Sequence, residues 1–166
     1  MKYELRELSK DDGIDIYNML LEIPELEYGF KNHCSNKSFE EYKRWLNKCN
    51  NISKGKGLDK GKVPQTVYWL YIDDKPVGMG KLRHKLTNEL MFIGGHGGYV
   101  IRPSCRGKGY GTLLLKLMML KAKELGISKI YLTIQNENRP SIKVALSNGG
   151  VIVETNDVMH KIWIDC

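Results

Sequence analysis

The sequence lacks an apolar run that could cross a bilayer. Its longest, residues 113–120, is interrupted by Lys116, whereas a membrane-spanning helix needs roughly 20 apolar residues. The N-terminus also lacks the unbroken apolar core of a signal peptide, because residues 1–6 alternate polar with apolar types and include acids. These absences predict a cytoplasmic protein with no membrane role.

Cysteine is scarce and unpatterned. The four cysteines show neither the close spacing of metal ligands nor the regular framework of a disulfide-rich domain. A reducing compartment would leave all of them as thiols. We therefore expect no metal site and no structural disulfide.

Acidic residues are outnumbered, with 19 Asp and Glu against 26 Lys and Arg and a formal net charge of +7. This balance favours an anionic ligand, either a polyphosphate cofactor or a nucleic acid. Much of the excess lies in the Gly/Lys stretch 54–62, which is typical of a flexible, solvated loop. Because its lysines lack interleaved aromatic residues for base stacking, nucleic-acid binding is the weakest interpretation, and we expect no such partner.

The first half of the chain predicts a strand, two helices and a hairpin. Residues 2–7 alternate like a half-buried strand, and Asp11 and Asp12 offer an N-cap for a helix to about residue 21. Ser38 and Glu41 form a capping-box pattern that starts a second helix, which we expect to reach about residue 48. The β-prone runs 67–72 and 77–82, separated by turn residues, then predict a hairpin.

The second half has a βαβα order. A short strand at residues 97–102 is stopped by Pro103, and a broad apolar face predicts a long helix over 110–125. A strand at 129–134 and a helix at 140–148 follow, and the chain closes with the strands 151–154 and 159–165. With 166 residues and 42% hydrophobic content, we expect one mixed α/β domain over residues 1–166.

The strongest chemical signal is the turn Arg106-Gly-Lys-Gly-Tyr-Gly-Thr112, which leads from the short strand into the long helix. Such a turn points free backbone N–H groups and the positive end of the helix dipole at one place, which suits an anion. Gly107, Gly109 and Gly111 let the backbone approach phosphate oxygens closely, while Arg106 and Lys108 add mobile positive charge. A purely structural tight turn is the alternative.

This turn resembles the acetyl-CoA motif of the GNAT superfamily of N-acetyltransferases, whose pattern Arg/Gln-x-x-Gly-x-Gly/Ala is met by Arg106, Gly109 and Gly111. The strand ending at Pro103 and the long helix also fit, and the resemblance extends through essentially the whole chain. Shorter motifs resemble a bacterial group of predicted acetyltransferases of undefined substrate. They are Gly94-Gly95-His96-x-Gly98-Tyr99, Arg102-Pro103-Ser104, Asn138-x-x-Ser141-Ile142, Asn148-Gly149-Gly150 and Trp163-Ile164.

The resemblance implies a single acyl-CoA N-acyltransferase domain of three layers, in which helices flank a central, splayed, mostly antiparallel mixed sheet. It implies that residues 107–112, with Gly107, Lys108, Tyr110 and Thr112 among them, bind the pyrophosphate of acetyl-CoA through their amides. The backbone of Tyr99, Val100 and Ile101 would pair with the pantetheine arm. Asn138 and Ser141 match positions that hydrogen-bond this arm, although Asn138 could instead simply cap its helix.

The resemblance also implies direct transfer of the acetyl group to an amine in a ternary complex, with a backbone N–H of the strand of Val100 polarising the carbonyl. Many members place a tyrosine as general acid seven residues beyond Asn138, but Ala145 stands here. Tyr110 or a water could donate the proton instead, or the thiolate leaves unassisted. His96 is the candidate base, with a structural role as the alternative, and Glu89 acting through water is the weaker candidate.

We expect the acceptor, a primary amine of a small molecule or peptide, to bind near the first two helices and the hairpin. Tyr28, Phe30, His33 and Trp45 are candidates there, although each could serve only in core packing. Homodimers are common in the superfamily, so a homodimer is compatible with the resemblance. An acyl-CoA-binding regulatory module with little or no turnover remains the alternative function, and Ala145 is the main argument for it.

Overall fold

The computed structural model describes residues 1–166, which form nine strands and five α-helices. The strands are β1 Tyr3–Glu7, β2 Leu26–Glu27, β3 Phe30–Lys31, β4 Gln65–Ile72, β5 Lys75–Arg83, β6 Gly97–Ile101, β7 Lys129–Gln135, β8 Val151–Thr155 and β9 Met159–Asp165. The helices are α1 Ile14–Glu22, α2 Phe39–Ser53, α3 Asn88–Phe92, α4 Tyr110–Glu124 and α5 Arg139–Ser147. None of these helices is long and apolar enough to cross a membrane.

The main strands form two sheets side by side. One has the order β1-β4-β5-β6 and the other the order β7-β9-β8, and every neighbouring pair is antiparallel. The short strands β2 and β3 form a separate ladder. No ladder joins β6 to β7, so the sheet is split at its centre, as expected from the resemblance.

Strand β4 lies between two layers of helices, because both of its faces are apolar and must be covered. Val67, Trp69 and Tyr71 pack in a core with residues of α1 and α2. Tyr68, Leu70 and Ile72 point the other way and pack with residues of α4 and α5. The predicted arrangement of helices on both faces of a splayed sheet is therefore confirmed.

The helix starts were predicted with mixed success. The capping box of Ser38 and Glu41 is present, and α2 continues to Ser53, beyond the expected end. The N-cap predicted at Asp11 and Asp12 is wrong, since Gly13 holds that position and no side chain caps α1. The Asp12 carboxylate instead accepts hydrogen bonds from the Ser9 amide at 2.9 Å and from Trp69 Nε1 at 2.7 Å.

The polar link after the hairpin contains an unpredicted short helix, α3. Thr87 caps it by accepting a hydrogen bond from the Leu90 amide at 3.2 Å. Its five residues make little more than one helical turn. This is too short for the sequence to show the hydrophobic periodicity of a helix. The helix positions the glycine-rich entry to β6.

Two adjacent glycines of β6 give a matched test of how closely β5 and β6 are packed. A Cβ on Gly97 would lie 1.8 Å from the backbone oxygen of Lys81, whereas a Cβ on Gly98 would meet only the Phe30 ring, at 3.2 Å. We expect Gly97→Ala to lower the free energy of unfolding by about 1–3 kcal/mol or more, since backbone cannot yield like a side chain. Gly98→Ala should cost clearly less. Urea denaturation of both variants checks this, and equal losses would contradict it.

Candidate active site

The two halves of the sheet meet at one junction between β6 and β7. The His96 amide donates to the Tyr131 carbonyl oxygen at 2.8 Å, and the Tyr131 amide donates to His96 Nδ1, also at 2.8 Å. Beyond this junction the strands do not pair, and residues of both strands line a cleft of about 960 Å³. The junction therefore marks the closed end of the split in the sheet.

Strand β6 presents a free backbone edge to the cleft. At its two ends, His96 accepts from the Arg83 amide through its carbonyl oxygen, and the Arg102 amide donates to Val77. Because hydrogen-bonded positions alternate along an antiparallel pair, Val100 also directs its backbone polar groups at β5. Tyr99 and Ile101 consequently direct theirs into the cleft. Val100 is therefore already paired with β5, Tyr99 has both backbone groups available, and Ile101 has only its N–H available because its carbonyl oxygen accepts from Arg106 Nε.

The glycine turn at the start of α4 leaves six consecutive amides without a partner. None of the backbone N–H groups of residues 107–112 donates a hydrogen bond within the protein, and the first helical bond of α4 runs from Leu113 to Gly109. The first turn of any helix has such free amides, and the positive end of the helix dipole adds to them. These amides form the most concentrated set of free donors beside the cleft.

The turn also requires glycine at two of its positions. Gly107 and Gly109 have φ of +76° and +78°, in the left-handed region that residues with a Cβ rarely adopt. Nothing lies within 4 Å of a Cβ built on either residue, so both backbones are open to an approaching ligand. Gly111 differs, since its Cβ would touch Val144 of α5 at 3.4 Å.

The two cations of the turn differ from the expectation. Arg106 is not a mobile charge, because its guanidinium forms a bidentate ion pair with Glu27 at 2.9 and 2.7 Å. Its Nε also donates to the Ile101 carbonyl oxygen at 2.9 Å, which ties the turn to the end of β6. Lys108 is exposed and has no ion-pair partner, but it does not line the cleft. Arg106 therefore shapes the turn more than it adds charge.

The start of α5 forms the opposite wall of the cleft. Asn138 caps this helix, with its Oδ1 accepting from the Ser141 amide at 3.3 Å, and both residues line the cleft. The Asn138 amide nitrogen and the Ser141 hydroxyl make no hydrogen bond within the protein. The Tyr99 hydroxyl donates to the Ser141 carbonyl oxygen at 3.1 Å, which connects β6 to α5. The capping alternative for Asn138 is thus present, and it leaves donors free for a ligand.

The candidate bases lie away from the cleft. His96 is only 5% exposed, and the lone pair of its Nδ1 is engaged by the Tyr131 amide. Its neutral form therefore carries the proton on Nε2, and burial together with the charge of Arg83 lowers its pKa. Glu89 is exposed on α3 and does not line the cleft. This geometry favours a positioning role for His96 and leaves Glu89 outside the lining of the cleft.

Tyr110, the candidate acid, lies between Gly109 and Gly111 at the start of α4. It lines the cleft there and packs against the core beneath α4. This location belongs to the glycine turn rather than to the junction.

At the other end of the cleft, Tyr28, Phe30 and His33 are lining residues, as expected. Trp45 is not one of them and packs between Tyr42 and Trp69 in the core. Withdrawal from water, helped by nearby lysines, lowers the pKa of His33 to about 4. Tyr28 and its neighbours thus give this end a mixed aromatic and polar wall.

Two cations of β5 that were not predicted from the sequence, Lys81 and Arg83, also line the cleft. Burial lowers the pKa of both, to about 8 for Lys81. The available signal was a Lys and an Arg two positions apart at the end of an otherwise apolar strand, which places them on one face. No group of His, Cys, Asp or Glu side chains is placed to hold a metal ion.

Comparison with known proteins gives a family and several structural neighbours. The sequence model described as the acetyltransferase (GNAT) family matches residues 16–149. No curated protein matches the chain. Among solved structures, a GNAT acetyltransferase from Streptococcus pneumoniae has a TM-score of 0.64 at 17% identity, covering 98% of this chain and 98% of that chain.

Two further structures are similar over nearly the full length of both chains. The N-acetyltransferase PseH from Campylobacter jejuni in complex with acetyl coenzyme A has a TM-score of 0.65 at 13% identity, covering 99% of each chain. Mutant forms of the spermidine/spermine N-acetyltransferase SpeG from Vibrio cholerae have a TM-score of 0.62 at 18% identity, covering 99% of this chain and 95% of that chain. At these identities the similarity shows the fold.

The junction predicts a pH-dependent contribution of His96 to stability. We expect His96→Ala to lower the free energy of unfolding by about 1–3 kcal/mol at pH 7.5, because the buried Tyr131 amide loses its acceptor. Since the pKa of His96 is lowered from 6.5 in the folded protein, its contribution is present above pH 6.5 and is lost as the pH falls below that value.

Urea denaturation of wild type and His96→Ala at pH 7.5 and 5.5 checks this prediction. The difference between the two proteins should shrink at pH 5.5. A difference that stays constant or grows would show that His96 does not accept the Tyr131 hydrogen bond in its neutral form.

Proposed function

Because the chain belongs to the acetyltransferase (GNAT) family, we propose that it moves the acetyl group of acetyl-CoA to a primary amine of a small molecule or peptide. The transfer is direct, within a ternary complex of enzyme, acetyl-CoA and amine. No covalent intermediate on the protein is needed, since a neutral amine attacks a thioester readily once both are aligned.

One observation carries the proposal: the six free amides of residues 107–112 and the free edge of β6 border the same cleft. The amides supply donors for a pyrophosphate, with the dipole of α4 behind them. Both backbone groups of Tyr99 and the N–H of Ile101 supply the edge along which an amide-containing arm can pair like an added strand. Asn138 and Ser141 contribute side-chain donors from the opposite wall.

The chain's own residues then orient and polarise the thioester. An N–H of the β6 edge, from Tyr99 or Ile101, can donate to the thioester carbonyl oxygen, where negative charge develops during attack. The positive lining of the cleft, to which Lys31, Lys143 and the cations of β5 contribute, lowers the pKa of a bound amine and favours its neutral, reactive form. This effect reduces the need for a dedicated base, a role for which His96 and Glu89 are poorly placed.

A second function, binding of acyl-CoA with little or no turnover, is favoured by Ala145. This residue is fully buried and does not line the cleft, so the position of the usual general acid is turned toward the core. The same free amides and strand edge would serve a binding module equally well. The two functions differ in whether free thiol is produced.

Cofactor binding can be tested with a pair of glycines that have the same backbone conformation. Gly109 and Gly126 have φ of +78° and +79°, and a Cβ on either meets nothing within 4 Å. Each substitution by Glu should therefore carry a similar backbone cost of about 1–2 kcal/mol. Only Gly109→Glu places a carboxylate at the phosphate-binding turn, because Gly126 follows the far end of α4.

We expect isothermal titration to show acetyl-CoA binding to wild type and Gly126→Glu, and a loss of at least about tenfold in affinity for Gly109→Glu. Gly111→Glu, where φ is not positive, should lose affinity without that backbone strain. Circular dichroism verifies that each variant is folded. Equal affinity in Gly109→Glu and Gly126→Glu would show that the turn is merely structural.

Turnover separates the enzyme from the binding module. Acetyl-CoA is incubated with wild type and a panel of primary amines, free thiol is measured with a chromogenic disulfide, and acetylated product is identified by mass spectrometry. We expect thiol release that depends on the amine and is lost in Gly109→Glu but kept in Gly126→Glu. Tight acetyl-CoA binding without amine-dependent release across the panel would favour the binding module.

A further inference from the structure

We propose that the amine acceptor carries an anionic group, a carboxylate or a phosphate ester, which binds between Lys81 and Arg83. This inference rests on the proposed function and names the class of acceptor that the cleft selects. It uses two residues that the glycine turn and the strand edge do not involve.

Lys81 and Arg83 are placed to act together. They lie two residues apart on β5, so their side chains leave the same face of the sheet, and both line the cleft. The chain pairs β5 with β6, so these two cations stand beside the strand whose free edge faces the cleft. An anion bound by both is therefore within the cleft, near the junction end of β6.

Neither cation has a carboxylate partner, although ion pairs are frequent elsewhere in the molecule. The ammonium of Lys81 donates to the Lys31 carbonyl oxygen and lies 4.4 Å from the centre of the Phe30 ring. Arg83 uses only Nη1, which donates to the carbonyl oxygens of Gly94 and Gly95 at 2.9 and 3.1 Å.

The remaining guanidinium donors of Arg83, Nε and Nη2, have no acceptor within the protein. Every buried side-chain nitrogen and oxygen in the protein has a hydrogen-bond partner. These two unpaired donors are therefore not buried and can reach a ligand or solvent. Partly buried charges without counter-ions are costly, and an anionic ligand would offset that cost. A guanidinium and an ammonium both form charge-assisted hydrogen bonds with carboxylate and phosphate oxygens.

The wider lining of the cleft has the same sign. Glu27 is the one acidic residue among the lining residues, and its carboxylate is neutralised by Arg106. Lys31 and His33 line the cleft near Lys81, and the charges of Lys81 and Lys31 contribute to the low pKa of His33. A polycationic amine would meet no free carboxylate here and would be repelled.

The test compares amines that differ in the presence of one anionic group. Acetyl transfer at pH 7 is assayed with two pairs of amines. One pair is an α-amino acid and its carboxamide, and the other is an aminoalkyl phosphate and the corresponding amino alcohol. We expect kcat/KM to be at least about tenfold higher for the anionic member of one pair, with the difference mainly in KM. The pair that shows the preference distinguishes a carboxylate from a phosphate ester.

Variants assign the preference to the two cations. Lys81→Met keeps the aliphatic stem and removes the charge, and Arg83→Gln removes the guanidinium, while Arg83→Lys keeps a positive charge. We expect the first two to reduce the preference for the anionic amine to near one, with Arg83→Lys retaining part of it. Lys116→Met, on the exposed face of α4 and outside the cleft, removes the same net charge and should leave the preference unchanged.

Several outcomes would overturn the inference. They are a preference of wild type for the neutral amines or for spermidine, and an anionic preference that persists in Lys81→Met and Arg83→Gln. If no amine at all is acetylated, the proposed function is wrong. The inference is then tested on its own by whether the anionic amines bind to the protein. The anionic amines should then still raise the Tm of wild type and of Lys116→Met but not of Lys81→Met, and no shift in wild type would overturn it.

Discussion

The structure depends on the junction at which β6 and β7 touch once and then separate. Two reciprocal hydrogen bonds between His96 and Tyr131 join the halves of the sheet without starting a ladder. Because β6 and β7 form no ladder, the edge of β6 keeps unpaired backbone groups. On an exposed sheet edge such groups can pair with another chain and promote aggregation. The core beneath α4 and α5 contains residues of both sheets, such as Leu70 of β4 and Leu132 of β7, and so holds the two sheets together. The hydrogen bonds of His96 thus close one end of the cleft in which the chemistry is proposed to occur.

Charge is arranged differently at the two ends of the cleft. At the glycine turn, donors are neutral backbone amides, and Arg106 is already paired with Glu27. At the other end, Lys81 and Arg83 have no counter-ion. Fixed amides bind a phosphate group with little entropic cost because the backbone is already in place. Unpaired cations that are partly shielded from water instead favour a second ligand that carries an anionic group.

Much of the fold could be predicted from local sequence signals. The capping box at Ser38, the hairpin and the strand-turn-helix around Gly109 are all encoded within a few residues. The ion pair between Arg106 and Glu27 could not be predicted, because its residues are 79 positions apart and meet only through the fold. The role of His96 was ambiguous for the same reason, since its partner Tyr131 lies 35 positions away. Lys81 lay near the end of a predicted strand and Arg83 just beyond it, and only the cleft of the folded protein gives them a common surface.

The absent tyrosine has a consequence for how the leaving thiolate is stabilised in the proposed reaction. Ala145 is buried in the core beneath α5, and its carbonyl oxygen accepts from the amides of Asn148 and Gly150 at 3.1 and 2.9 Å. A larger side chain there would have to enter the core rather than the cleft, so the position cannot supply a proton. In the proposed reaction the thiolate therefore takes its proton from water or leaves unassisted. Lys81 and Arg83 do not replace the tyrosine, because the inferred anionic group of the acceptor neutralises their charge, and they serve to bind the acceptor.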